Sequence, residues 1–184
     1  MTTTTAHDSA GNMTRVPIPG DGQGNWLGDF DLTFDAWNKL GAVDDGSEVV
    51  AEYAGRNFRI VKTTDEEIRH YFYTRNWRCV EERATADDSD VPAPEDLDPD
   101  MQYVWGLRYI DDLVLRDRDT STPKNGTLDE RLYAMQDPNW NVVALADNSG
   151  NVVERYLYSA YGDPVVLNAD FSEDSDGTDY AWEF

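Results

Sequence analysis

Trp37 to Tyr53 reads WNKLGAVDDGSEVVAEY, and Trp140 to Tyr156 reads WNVVALADNSGNVVERY. Laid together without a gap, at an offset of 103 residues, they share Trp, Asn, Asp, Val, Val and Tyr, six of seventeen positions. A unit this short cannot bury its apolar face alone, so a repeat of it points to stacked copies. The expectation is that Trp37 and Trp140 are equivalent and largely buried. Each should be followed sixteen residues later by a Tyr on the next strand, Tyr53 or Tyr156.

Strand patterns extend outward from this block. Tyr103, Trp105, Leu107 and Tyr109 alternate with Val104, Gly106, Arg108 and Ile110, a two-residue period. Arg56–Lys62 and Ile68–Tyr73 read as a hairpin joined through Thr63–Glu67. Val152–Tyr158 puts Tyr156 and Tyr158 on one face, Arg155 and Leu157 on the other. Turn chemistry separates these runs: Asp8-Ser9-Ala10-Gly11-Asn12, Asp45-Gly46, Asn148-Ser149-Gly150-Asn151 and Tyr161-Gly162-Asp163. No window shows helical apolar spacing. The fold class expected is all-β, built of short, locally connected, stacked hairpins.

Composition agrees. The 184 residues include 6 Trp, 10 Tyr and 6 Phe, which suits half-buried sheets with aromatic faces. Fifteen basic against 37 acidic side chains give a formal charge of −22. A field of that sign repels phosphate backbones and anionic membrane surfaces, so nucleic-acid binding is not expected. No apolar run approaches the ~20 residues a membrane span needs, so membrane insertion is not expected either. Cys79 is the only cysteine, so no intrachain disulfide forms. The opening MTTTTAHDSAGN lacks the basic and apolar regions of a signal peptide. Ala84–Asp100 reads as a solvated, proline-containing acidic loop, Asp119–Asp129 as a polar connection, and Asp170–Asp179 as part of an acidic C-terminal segment.

Taken in order, several elements resemble the RHS repeat family, also called YD-repeat proteins. They are His7–Thr14, Phe34–Leu40, Tyr53–Arg56, Tyr103–Gly106 and Asp137–Pro164, the last containing Arg155-Tyr156-Leu157-Tyr158-Ser159-Ala160-Tyr161-Gly162. Ser159 and Phe34 stand where the family often has Asp and Tyr. The resemblance covers roughly residues 6–168, leaving 169–184 as the acidic segment. It implies an open strip of a β-shell that, in bacterial members, encloses a toxic segment; animal relatives are cell-surface proteins. It thus implies a secreted or surface setting within a larger protein, and as partner a continuing RHS polypeptide or a second copy.

Four catalytic or ligand-binding patterns compete with structural ones. Tyr109-Ile110-Asp111-Asp112 has the look of a paired-carboxylate metal motif, but a β-turn between strands explains it better. Ser172–Glu183 approximates a calcium loop whose first ligand is Ser rather than Asp, without flanking helices; a solvated loop is preferred. Cys79 and His70 lack a third, orienting group, and Cys79 reads as a small buried hydrophobe. Trp26, Trp37, Trp77, Trp105, Trp140 and Trp182 could stack on sugars, but packing between strands is preferred. The expectation is therefore a structural, non-enzymatic segment with no cofactor, no metal and no catalytic residue. Trp37, Tyr53, Tyr73, Trp105, Trp140, Tyr156 and Tyr158 would carry its packing. The alternative is a carbohydrate-binding module whose partner is a glycan.

Overall fold

The computed structural model describes residues 5–19, 26–44, 49–53, 58–63, 67–86, 97–175, 177–180 and 182. The chain is all-β, with no helix among the described residues. It divides into two compact units. The first comprises Met1–Phe72 and Glu82–Leu97, the second Tyr73–Glu81 and Asp98–Phe184.

In the first unit, β1 (Ala6–His7), β2 (Met13–Pro19), β3 (Trp26–Phe34), β4 (Leu40–Asp44), β5 (Val49–Tyr53), β6 (Arg59–Thr63) and β7 (Glu67–Tyr73, its last residue assigned to the second unit) follow one another as an antiparallel meander. The expected hairpin is present: Val61 faces His70 and Lys62 faces Arg69. Most described side chains here are half-buried or exposed, and Tyr71 is the buried apolar one, with the Arg59 guanidinium 5.0 Å from its ring centroid. Beside it Arg69 pairs with Glu67 at 2.8 Å and Glu82 at 3.0 Å. β8 (Cys79–Ala86) starts in the second unit and ends in the first.

The second unit holds β9 (Met101–Trp105), β10 (Leu113–Arg118), β11 (Glu130–Gln136), β12 (Val142–Ala146), β13 (Val152–Tyr158) and β14 (Pro164–Asn168), again a meander of neighbours. No pairing among the described residues closes either meander into a barrel. Alternation builds the core: Leu113, Leu132, Leu145, Tyr156 and Trp182 are buried together, flanked by Tyr103, Trp105, Tyr158 and Tyr180. On β13, Tyr156 faces inward while Leu157 is exposed, as the period-two pattern requires. Burial of each such leucine contributes about 1.5–3 kcal/mol. Truncating the fully buried Leu145 to Ala costs about 2–5 kcal/mol.

Three expectations are corrected here. The alternation from Tyr103 does not continue as a strand. β9 stops at Trp105, and Leu107 is 95% exposed. The reason is Gly106: its N–H donates to the Asp112 carbonyl at 2.6 Å, and a Cβ there would lie 2.0 Å from the Asp112 carboxylate. The chain must turn around that carboxylate. The acidic loop is likewise shorter than expected. Ala84–Ala86 belong to β8, while Asp100 is buried and paired with Lys124 at 2.8 Å; residues 87–96 lie outside the described set. Finally, the acidic C-terminal segment is not merely solvated, since Trp182 belongs to the core.

Candidate functional site

One turn recurs seven times among the described residues. It spans Asp8–Asn12 and Asp35–Lys39 in the first unit. In the second it spans Thr74–Arg78, Asp137–Asn141, Asp147–Asn151, Ser159–Asp163 and Asn168–Ser172. In every one the first residue's N–H donates to the fifth residue's carbonyl, at 2.8–3.0 Å. In six of them the first side chain is Asp, Thr or Ser, and its oxygen accepts the N–H groups of the third and fifth residues. Asp147 does so at 2.8 and 2.8 Å, Ser159 at 3.2 and 3.0 Å. The fourth residue always has positive φ: Gly11, Asn38, Trp77, Trp140, Gly150, Gly162 and Phe171, between 58° and 90°. This is a type I turn closed by a left-handed residue, whose twist suits a three-residue hairpin loop. Adjacent turns also touch, with the Asn12 side-chain amide donating to that of Asn38 at 2.9 Å.

The turn redefines the internal repeat. Asp35 matches Asp137, an offset of 102, and the left-handed Asn38 matches Trp140. Strands β4 and β12 keep that offset: Thr33 faces Ala42 where Met135 faces Ala144. The connection from Asp44 to Val49 is then one residue shorter than that from Ala146 to Val152, so β5 and β13 align at 103. Trp37 and Trp140 are therefore not equivalent. Trp37 occupies the third turn position and is 80% exposed, which corrects its expected packing role. Trp140 occupies the fourth. Its indole stacks on Tyr109 at 5.3 Å, and Arg108 lies 5.0 Å from its ring centroid.

Of the other expected packing residues, Tyr156 is buried, and Trp105 and Tyr158 pack on the core. Trp105 Nε1 donates to the Cys79 carbonyl at 2.6 Å, and the Tyr158 hydroxyl to the Val142 carbonyl at 2.7 Å. Tyr73 is half-buried, and the Tyr53 side chain lies outside the described set.

The chemical motifs resolve into scaffolding. Asp112 is buried and its carboxylate receives Arg108, through the side chain at 2.5 and 3.0 Å and the backbone N–H at 3.1 Å. Those hydrogen bonds hold its pKa below the ordinary carboxylate value. Asp111 is exposed. Cys79 is half-buried in β8, its thiol 3.5 Å from the Glu81 carbonyl, while His70 lies in the first unit. Of the calcium-like loop, Ser172 forms a turn, and residues 176, 181, 183 and 184 lie outside the described set. Among the described residues, no three His, Cys, Asp or Glu side chains are grouped to hold a metal ion. The polar connection Asp119–Asp129 wraps a fully buried Asp119. Burial pushes its pKa up, but N–H donors from Asn125, Ser121 and Gly126 outweigh this and leave it at about 2.

Two features of the second unit went unforeseen. A cleft of about 590 Å³ is lined by Trp105, Trp140, Tyr158 and Trp182 together with Asp111 and Gln136. Elsewhere in the same unit, two charged side chains are buried in the sheet: Arg116 and Glu154, each 2% exposed. Arg116 was unremarkable in sequence because its neighbours carry no motif. Glu154 was hidden by its place between Val153 and Arg155 in an apparently ordinary alternating strand. No protein-family model matches this chain, and no curated protein matches it.

Proposed function

We propose that the chain is a structural, non-enzymatic segment of RHS/YD-repeat type, contributing to the wall of a β-shell or a cell-surface protein. The observation that carries this is the sevenfold use of one turn, which six times returns the chain to an adjacent antiparallel strand and once, at Asn168–Ser172, to a single bridge against β14. A sheet extended in that way grows by nearest-neighbour contacts, with each strand burying the aromatic face of the last. The elements that resemble the family fall on this framework. Asp8–Asn12, Asp35–Lys39, Asp137–Asn141 and Ser159–Asp163 are all turns of the common type. The charge of −22 opposes lateral association of such walls. Electron microscopy of the full reading frame that contains this sequence tests the proposal. A continuous sheet curving around a hollow interior is expected; separate compact domains joined by linkers would overturn it.

A second reading is favoured by the aromatic cleft. Trp and Tyr faces beside carboxylate and amide groups fit the apolar faces and hydroxyls of a neutral saccharide. A glycan array probed with the unmodified chain and with Trp140→Ala separates the readings. Glycan binding lost in the variant supports a carbohydrate-binding module; no binding removes that reading and leaves the structural one.

A further inference from the structure

The buried charges lie along a diagonal of the second unit's sheet, since Leu145 faces Ala134 and packs with Leu132 one step along β11. Arg116 on β10 faces Leu132 on β11, and Leu145 on β12 faces Glu154 on β13. Between the two charges lie two of the most deeply buried leucines in the chain. A charge buried in a sheet face is costly unless its hydrogen-bonding capacity is met. Here a segment after β14 meets much of it. The chain turns at Asn168–Ser172, and a single bridge joins Glu173 to Leu167 on β14. It then leaves the edge near Gly177, which has φ of +90°. The Thr178 hydroxyl donates to Glu154 at 2.7 Å and the Asp179 N–H donates to it at 3.1 Å. Arg116 donates to the Tyr180 carbonyl at 2.5 Å, and its guanidinium lies 5.0 Å from the Trp182 ring centroid. Trp182 itself is buried against the leucines.

We infer that this diagonal is a receptor for a Thr-Asp-Tyr-x-Trp segment that turns at Asp179–Tyr180, that residues 178–180 and 182 occupy it as a displaceable strap, and that the same segment of a second copy fits it. The receptor reads polarity and shape together. The Glu154 end accepts a hydroxyl and an N–H, the Arg116 end donates to a carbonyl and flanks an indole, and the leucines between require apolar cover. The strap's attachment is built for release, because a single bridge to β14 and a glycine in the left-handed region precede it. Exchange of an identical element between copies creates no new kind of contact, so little stability separates the two arrangements.

The test uses the full chain and a fluorescent peptide of residues 173–184. Thr178→Val in the chain loosens its own strap without touching the sheet. This variant should bind the peptide saturably and about tenfold or more tightly than the unmodified chain does, since more of it is vacant. A peptide carrying Trp182→Ala should bind at least about tenfold more weakly than the unaltered one. Absence of peptide binding to the variant, or equal binding of the two peptides, overturns the inference. Binding by the unmodified chain as tight as by the variant overturns the competition between strap and peptide. Should Thr178→Val fail to fold, the two peptides are compared on the unmodified chain at large excess, where equal signals or none overturn the receptor.

Discussion

Glu154 is where the second unit's stability is most exposed to a single change. Its carboxylate accepts the Tyr156 hydroxyl, the Thr178 hydroxyl and the Asp179 N–H, and the side chain is 2% exposed. Glu154→Ala leaves three donors without that acceptor and opens a void beside Tyr156. An unsatisfied buried donor costs about 1–3 kcal/mol, though water entering near the strap recovers part of it. The net loss expected is about 3–5 kcal/mol, a large share of the ~5–15 kcal/mol typical of a domain. Glu154→Gln behaves differently. Its Oε1 keeps the Asp179 N–H, while the two hydroxyls rotate to accept from Nε2. Only the charge-assisted component is lost, and removing a buried charge offsets some of that. The expected cost is about 1–2 kcal/mol. Urea unfolding followed by tryptophan emission measures both, with equal slopes indicating a common unfolded state. A Glu154→Ala loss under about 1 kcal/mol, or equal losses for both variants, would refute the buried network.

Acid should destabilise the fold within a defined window. Asp8, Asp137 and Asp147 have lowered pKa values, chiefly from the side chains of Asn12, Asn141 and Asn151, and Asp119 sits at about 2. Such groups contribute stability above the unfolded value, about 3.9, that is lost as pH falls through their folded values. The melting temperature should therefore fall steadily below about pH 4; a flat profile there would contradict the turn geometry. Trp37→Ala should change stability by less than about 0.5 kcal/mol, whereas Trp140→Ala should cost about 1–2 kcal/mol through the lost Tyr109 and Arg108 contacts. Trp140→Gly should be milder than Trp140→Ala by about 1 kcal/mol, because glycine accepts φ of 69° freely. Equal melts for those two variants would argue against the left-handed turn. Salt should raise the melting temperature by screening the −22 charge, measured by calorimetry at low and high ionic strength.

The strands were legible in sequence because period-two alternation records burial directly, as Val152–Tyr158 shows. Turns were legible where glycine marks the left-handed residue: Gly11, Gly150 and Gly162. The equivalent positions held by Asn38, Trp77, Trp140 and Phe171 carry no such mark, so the common turn was seen only in part. That explains the misplaced repeat. Matching Trp37 to Trp140 maximised identity, while the chain aligns Asp35 with Asp137 and absorbs one residue in a later connection. The Tyr103–Ile110 alternation misled for another reason: the Asp112 carboxylate, remote in the pattern, bends the chain at Gly106. The strap was illegible because an acidic, glycine-containing segment reads as solvated, and only tertiary contact shows Thr178 and Trp182 meeting Glu154 and Arg116.

The most direct measurement of the central claim is scalar coupling across hydrogen bonds in solution. Each of the seven turns requires a coupling from the first residue's amide nitrogen to the fifth residue's carbonyl carbon, as from Asp137 to Asn141. Those couplings are expected at all seven turns, with φ positive at Trp77, Trp140 and Phe171 as at the glycines. Couplings confined to the glycine-bearing turns, or negative φ at Trp140, would show that no single turn builds this chain and would remove the basis for reading it as a repeated wall.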